Sequence, residues 1–183
     1  MAIKPILFNT DMVRAILDGR KACTRRAVKH NVKAMLNSQY HMEHPEVEDA
    51  WLIKKLCRPP YEPGDILYVR ETFMQAAAHT FWYKADDNSW IPEGLHWHPS
   101  IHMPKEAARI WLKVTDVRVE RLQDMTDDDA EAEGCFDYTS TALGFPDVWD
   151  STIKKSDLDR YGWAANPYVF VIEFSKIDKP EEV

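Results

Sequence analysis

Little in this sequence commits it to the commonest enzyme chemistries. Only six of its 183 residues are glycine, and they are scattered rather than grouped into a phosphate-cradling loop of the GxGxxG or GxxxxGK type. That argues against an enzyme driven by a nucleoside triphosphate. GxSxG, CxxC and HExxH are also absent, so neither a serine-hydrolase elbow, a thiol redox pair nor a zinc-protease helix is expected. The three cysteines, Cys23, Cys57 and Cys135, lie far apart. A disulfide framework is therefore not expected, and a reducing, cytoplasmic setting fits better.

Positive charge is the minority sign, with 23 Lys and Arg against 30 Asp and Glu and a net charge of −7. A protein that coats long nucleic acid needs a broad basic surface to release counterions, so that class is disfavoured. A nucleoside or single nucleotide in a pocket stays compatible, because only local charge matters there. Long apolar runs are missing too. No segment approaches the ~20 residues of a membrane span, and residues 1–12 have no apolar core of signal-peptide length. A soluble chain with no membrane partner is the expectation.

What is present is ample core material: 45% of residues are hydrophobic, including seven Trp, seven Tyr and seven Phe. The length suits one domain over residues 1–183. Residues 5–8 read as a strand. Thr10 reads as the N-cap of a helix over 11–18, closed by Gly19, with Met12, Val13, Ile16 and Leu17 as its buried stripe. Residues 65–72 (DILYVRET) alternate as a strand with Ile66, Tyr68 and Arg70 on one face and Leu67, Val69 and Glu71 on the other. A strand near 80–84, a long one over 108–122, an acidic helix over 127–133 capped by Thr126, and a closing strand over 167–177 complete the pattern. Residues 28–60, with one or two short helices, 73–104 and 136–163 read as insertions, and the tail 179–183 as frayed. Few helices and four or five strands imply an α+β fold, a small curved sheet or barrel with short helices at its rim.

Charge is unevenly placed. Arg14, Arg20, Lys21, Arg25, Arg26, Lys29 and Lys33 crowd the early chain, and acids crowd 124–133. Lys21 and Thr24 stand three apart just past a helix end. A threonine hydroxyl becomes a nucleophile when a base takes its proton, and a neutral lysine amine can do so. Solvated cations at a helix C-terminus explain the same spacing without chemistry. Asp127, Asp128 and Asp129 suit the first turn of a helix. Glu133 sits in the last turn, where the dipole disfavours an anion, a setting for a general acid or merely for an exposed carboxylate. Arg70 and Glu71 face opposite ways, so one of them is expected to be structural. Trp82, within an aromatic run from Phe81 to Trp97, could stack a base or anchor a loop. His96, His98 and His102, like His41 and His44, lack cysteine partners at ligand spacing, so no metal and no cofactor are expected.

At these residues the sequence resembles the ASCH domain family. Gly19, Lys21 and Arg26 match its GxKxxxxR signature, followed in order by a Pro-Gly-Asp turn into a strand (63–70), a long strand, an acidic helix ending in Glu and a VIEF-type closing strand (171–174). The resemblance implies a PUA-like fold and extends to the larger ASCH-like proteins of tailed bacteriophages and prophages, hence a bacterial host cytoplasm. One bacterial branch, the N4-acetylcytidine amidohydrolases, uses a Lys, a Thr three residues on and a Glu of the acidic helix. By that likeness Lys21, Thr24 and Glu133 would be catalytic: Thr24 attacks the acetyl carbonyl, Lys21 takes its proton, and Glu133 orients the base or protonates the leaving amine. Arg20, Arg25, Arg26, Arg70, Glu71 and Trp82 would bind a nucleoside, a nucleotide or RNA. The insertions, and Ala22-Cys23 in place of the family's frequent Thr-Ile, are departures. Alternatives stay open: an RNA- or DNA-binding module, a ribonuclease variant of it, or a phage protein whose insertions bind a phage or host partner.

Overall fold

The computed structural model describes residues 1–91, 94–135 and 144–181. The chain is mixed α+β: five strands pair in the order β1-β3-β6-β7-β2, and β4 pairs with β5 separately. In chain order these are β1 (Ile3–Leu7), α1 (Thr10–Leu17), β2 (Cys23–Ala27), α2 (Val32–Leu36), α3 (Gln39–Glu43), α4 (Asp49–Cys57), β3 (Ile66–Arg70), β4 (Phe73–Ala77), β5 (Thr80–Tyr83), β6 (Trp111–Arg121), α5 (Asp127–Ala132), α6 (Phe145–Ser151), α7 (Leu158–Tyr161) and β7 (Tyr168–Ile177). By contacts the chain divides into two compact units: Met1–Ala22 with Pro63–Thr115 and Phe174–Val183, and Cys23–Glu62 with Asp116–Glu173.

In the first unit β1 runs parallel to β3, from Ile3 opposite Ile66 to Leu7 opposite Arg70, and β3 runs antiparallel to β6. Buried Asp65 joins these elements by accepting from the Lys4 ammonium at 2.7 Å and the Ala2 amide at 2.9 Å. Ile66, Phe73, Met103, Ala108 and Trp111 make a core cluster, with Tyr68, Phe81 and Tyr83 against it. Val13, Ala15 and Ile16 are the buried face of α1. Its end is a Schellman turn: Gly19, at φ 74°, lets its own N–H reach Ile16 O (3.1 Å) while that of Arg20 reaches Ala15 O (2.8 Å). A side chain at Gly19 would be strained by that φ, so the glycine sets the direction in which Lys21 leaves the helix.

In the second unit β2 is antiparallel to β7, with Thr24 opposite Ile172 and Arg26 opposite Phe170. Leu52, Ile53 and Cys57 are the buried residues of α4. Helix α5 opens with a capping box between Thr126 and Asp129. Phe145 of α6 meets Trp163 edge-on at 5.9 Å, and the Trp149 indole donates to Tyr161 O at 2.8 Å. Gly162 is required here for space, since a Cβ would lie 2.5 Å from Leu158 O.

Several sequence expectations change in detail. Asn9, not Thr10, caps α1: it is extended (ψ 172°) and its side chain accepts from Met12 N at 2.9 Å, while Thr10 has already entered the helix. The long strand starts at Trp111 rather than 108, because residues 105–107 close a 3-10 turn. Residues 73–77, to which the expected insertion over 73–104 assigned no strand, pair as β4 with β5, and residues 28–60 hold three helices rather than one or two. The expected insertion 136–163 lies partly outside the described residues, as do residues 182–183 of the expected frayed tail.

Candidate functional site

Strand β2 carries the densest chemistry of the second unit. Its alternation puts Cys23 and Arg25 on one face and Thr24 and Arg26 on the other. The Arg25 side chain is wholly buried, with Glu120 at 2.8 Å, Asp129 at 3.0 Å and Glu133 at 3.4 Å around its guanidinium. Cys23 Sγ lies 3.8 Å from Nη1. Burial works against the charge, but Glu133 and Glu120 outweigh it and hold the guanidinium protonated above its ordinary value. Arg118 extends the cluster, contacting Glu120 (3.2 Å), Asp129 (3.4 Å) and Glu173.

On the other face the Arg26 guanidinium donates to Thr24 Oγ1 at 2.8 Å and to Arg25 O at 3.0 Å. Burial pushes Arg26 below its ordinary value, against the opposing pull of Glu133 and Tyr61. Thr24 is 2% exposed. A hydroxyl oxygen that accepts from a cation carries developing negative charge at lower cost, and its own proton stays available to a base. Glu133 is the C-cap of α5 and is buried, its backbone N–H donating to Asp129 O at 3.0 Å.

The first unit holds the remaining sequence candidates. Lys21 is 4% exposed, with its ammonium 5.4 Å from the centroid of the Phe8 ring, a cation–π contact. It lines a cavity of about 380 Å3 with Ile16, Gly19, Phe174 and Lys176. Arg20 pairs with Asp18 at 2.9 Å. Arg70 donates to the carbonyls of Met103 (2.8 Å) and Ile101. Glu71 continues the buried Leu67 and Val69 face, and both its oxygens accept from Arg109, at 2.9 and 3.0 Å. Half-buried Trp82 meets Trp90 edge-on at 4.9 Å.

The structure thus gathers Thr24, Arg25, Arg26 and Glu133 in one unit and places Lys21, Arg20, Arg70, Glu71 and Trp82 in the other. Sequence reasoning passed over Arg109, Glu120 and Arg118. A signal existed for two of them: Val117 and Val119 are apolar positions of β6, which puts Arg118 and Glu120 together on its opposite face. Among the described residues, no group of three or more His, Cys, Asp or Glu is placed to hold a metal ion, and no helix is long and apolar enough to cross a membrane. His98, of the HxH, pairs its backbone with Phe73 through N–H···O bonds of 2.8 and 3.2 Å.

No family model matches the sequence, and no curated protein matches it. A solved structure does: the ASCH domain from Lactobacillus crispatus JV V101, at TM-score 0.51 and 12% identity, over 97% of this chain and 81% of that one. At so low an identity the likeness concerns the fold alone. The chain has the α+β, PUA-like fold of an ASCH domain.

Proposed function

We propose that this chain is an ASCH-family hydrolase that cleaves the exocyclic amide of an N4-acylated cytosine nucleoside or nucleotide, with Thr24 as nucleophile. The observation that supports this most is the state of Thr24. It is a 2% exposed hydroxyl whose oxygen accepts from Arg26 at 2.8 Å, on the strand that also carries Arg25, the partner of buried Glu133. Burying polar groups costs free energy, and here several are buried together on a single edge strand and at the end of α5, whose Glu133 meets that strand's Arg25. Thr24 Oγ attacks the acyl carbonyl, and the C–N bond breaks to leave a threonyl ester and the free cytosine amine. Water then hydrolyses the ester to the carboxylate. Lys21 is assigned as the base that takes the hydroxyl proton, on the motif spacing and the resemblance. The proton taken from the hydroxyl is passed on to Glu133, which Arg25 holds in place, and Glu133 delivers it to the leaving nitrogen.

Acetate release from N4-acetylcytidine tests this. The expected result is turnover by the unmutated protein, with losses of about 10²–10⁴-fold for Lys21→Ala and Glu133→Gln, and no less for Thr24→Ala. A threonyl-acyl adduct trapped by mass spectrometry would identify the nucleophile. No acetate from the unmutated protein, where a known amidohydrolase releases it, would overturn the reading. Undiminished release by Thr24→Ala would reassign the nucleophile.

A further inference from the structure

The second unit contains a larger cavity in which neither Thr24 nor Glu133 takes part. It measures about 870 Å3 and is walled by the segment after β2, the end of β6, α7 and the start of β7. That volume lies within the range of small-ligand pockets. Its lining is basic in a chain whose net charge is −7: Lys29, Lys33, Arg121 and Arg160 line it, against Asp159 as the one lining carboxylate among the described residues. Several arginines outside the cavity are met by acids, as Arg20 is by Asp18, Arg25 by Glu120 and Arg109 by Glu71. Lys29, Lys33 and Arg160 make no ion pair among the described residues and are exposed. Like charges gathered round one cavity repel each other until an anion enters.

The wall is braced independently of any ligand. The Arg121 guanidinium covers the Tyr168 ring at 3.8 Å and donates to Asn166 O at 3.0 Å, and the Tyr168 hydroxyl donates to Asp49 at 2.7 Å. Tyr161, half-buried in the lining, is anchored through its carbonyl by the Trp149 indole at 2.8 Å. An aromatic ring and three cations with no ion pair among the described residues thus share one cavity.

We infer that this cavity binds a small ligand bearing a diphosphate group, of the kind of a nucleoside 5′-diphosphate, with the phosphates on Lys29, Lys33 and Arg160 and the base against Tyr161. Lysine and arginine meet phosphate oxygens with charge-assisted bonds, and a tyrosine face stacks a base. A compact ligand is favoured over a nucleic-acid strand because the cations ring a single cavity and the remaining surface is predominantly acidic. The inference goes beyond the proposed hydrolysis and shares no residue with it.

Titration calorimetry on the full chain tests it, with pyrophosphate, cytidine 5′-diphosphate, cytidine and a short single-stranded RNA as probes. Pyrophosphate and cytidine 5′-diphosphate are expected to bind, and cytidine at least about tenfold more weakly. Lys33→Gln and Arg160→Gln should each weaken both phosphate probes about tenfold, whereas Lys154→Gln and Lys155→Gln, exposed and outside the lining, should not. Tyr161→Leu should weaken the nucleotide and leave pyrophosphate unchanged. No binding of pyrophosphate, or binding indifferent to Lys33→Gln and Arg160→Gln, overturns the inference. RNA binding tighter than the nucleotide, with a steep salt dependence, replaces it with a strand-binding track. Each outcome is read separately from acetate release, so failure here and failure of the hydrolase reading are distinguishable.

Discussion

In the first unit one buried charge is Glu71, and Arg109 answers it with two N–H groups while a third reaches Asp86 at 2.8 Å. In the second, one buried charge is Arg25, and three carboxylates converge on it at 2.8, 3.0 and 3.4 Å. The Glu71 arrangement is a closed bidentate pair that ties the end of β3 to the residues just ahead of β6, and it needs no function beyond that. The Arg25 arrangement has more anions than a scaffold requires. Glu120 and Asp129 are shared with Arg118, and the Glu133 contact is the longest of the three. A carboxylate held in place by a fixed cation is positioned to take up a proton and pass it on. Burial of charge alone therefore does not mark a site; the balance of partners does.

The sharpest way to break this contrast is Arg25→Ala. Removing the cation leaves carboxylates uncompensated in the interior, and a loss of about 3–5 kcal/mol in urea denaturation is expected. Arg25→Lys should recover part of it, since an ammonium keeps the charge but not the fork. Arg109→Ala strands Glu71 in the same way, but Arg109 is 28% exposed, so solvent reaches the vacated space and roughly 2–3 kcal/mol is expected from the same measurement. Thr126→Ala removes one half of the capping box of α5 and should cost about 1 kcal/mol. Its value lies in the accompanying assay: because α5 ends at Glu133, acetate release should fall further than this stability loss explains.

The smallest effect separates the two centres by pH. Burial holds the Glu71 carboxyl above its ordinary range, with Arg109 pulling the other way. Its contribution is therefore fullest below the unfolded-state value and is lost as pH rises through the folded one. For Asp129 burial also pushes up, but the Thr126 backbone N–H and Arg25 outweigh it, and the carboxyl is held low. Its contribution is present above the unfolded-state value and is lost as pH falls through the folded one. Stability measured from neutral to acid pH should thus fall less steeply in Asp129→Asn than in the unmutated protein, and more steeply in Glu71→Gln. Parallel profiles for all three would remove the distinction.

Much of the frame was legible beforehand, and the reasons are local. The 3.6-residue pattern of Val13, Ile16 and Leu17 with Gly19 behind it identified α1, and alternation identified β3 and β6. Neighbouring Asn9 and Thr10 are both good capping residues, so only the backbone conformation could choose between them. Strand β4 was missed because Ala76 and Ala77 carry little strand preference; pairing with β5 makes the strand. At the candidate site, the sequence singled out Thr24, Arg25, Arg26 and Glu133 by type and spacing. It gave no means to know that Arg25 faces three acids while Arg26 turns to the threonine.

From the sequence alone followed the α+β class, the order of the main strands, the capped acidic helix and the motif that carries Lys21, Thr24 and Arg26. Each depends on residues within a turn or two of one another, where periodicity, capping and steric preference act directly. Tertiary structure alone decided which charges are compensated. Arg25 meets Glu120 and Asp129 across roughly a hundred positions of chain, and Glu71 meets Arg109 across 38. The strength of those pairs depends on distance and on exclusion of water, and neither is fixed until the chain has folded.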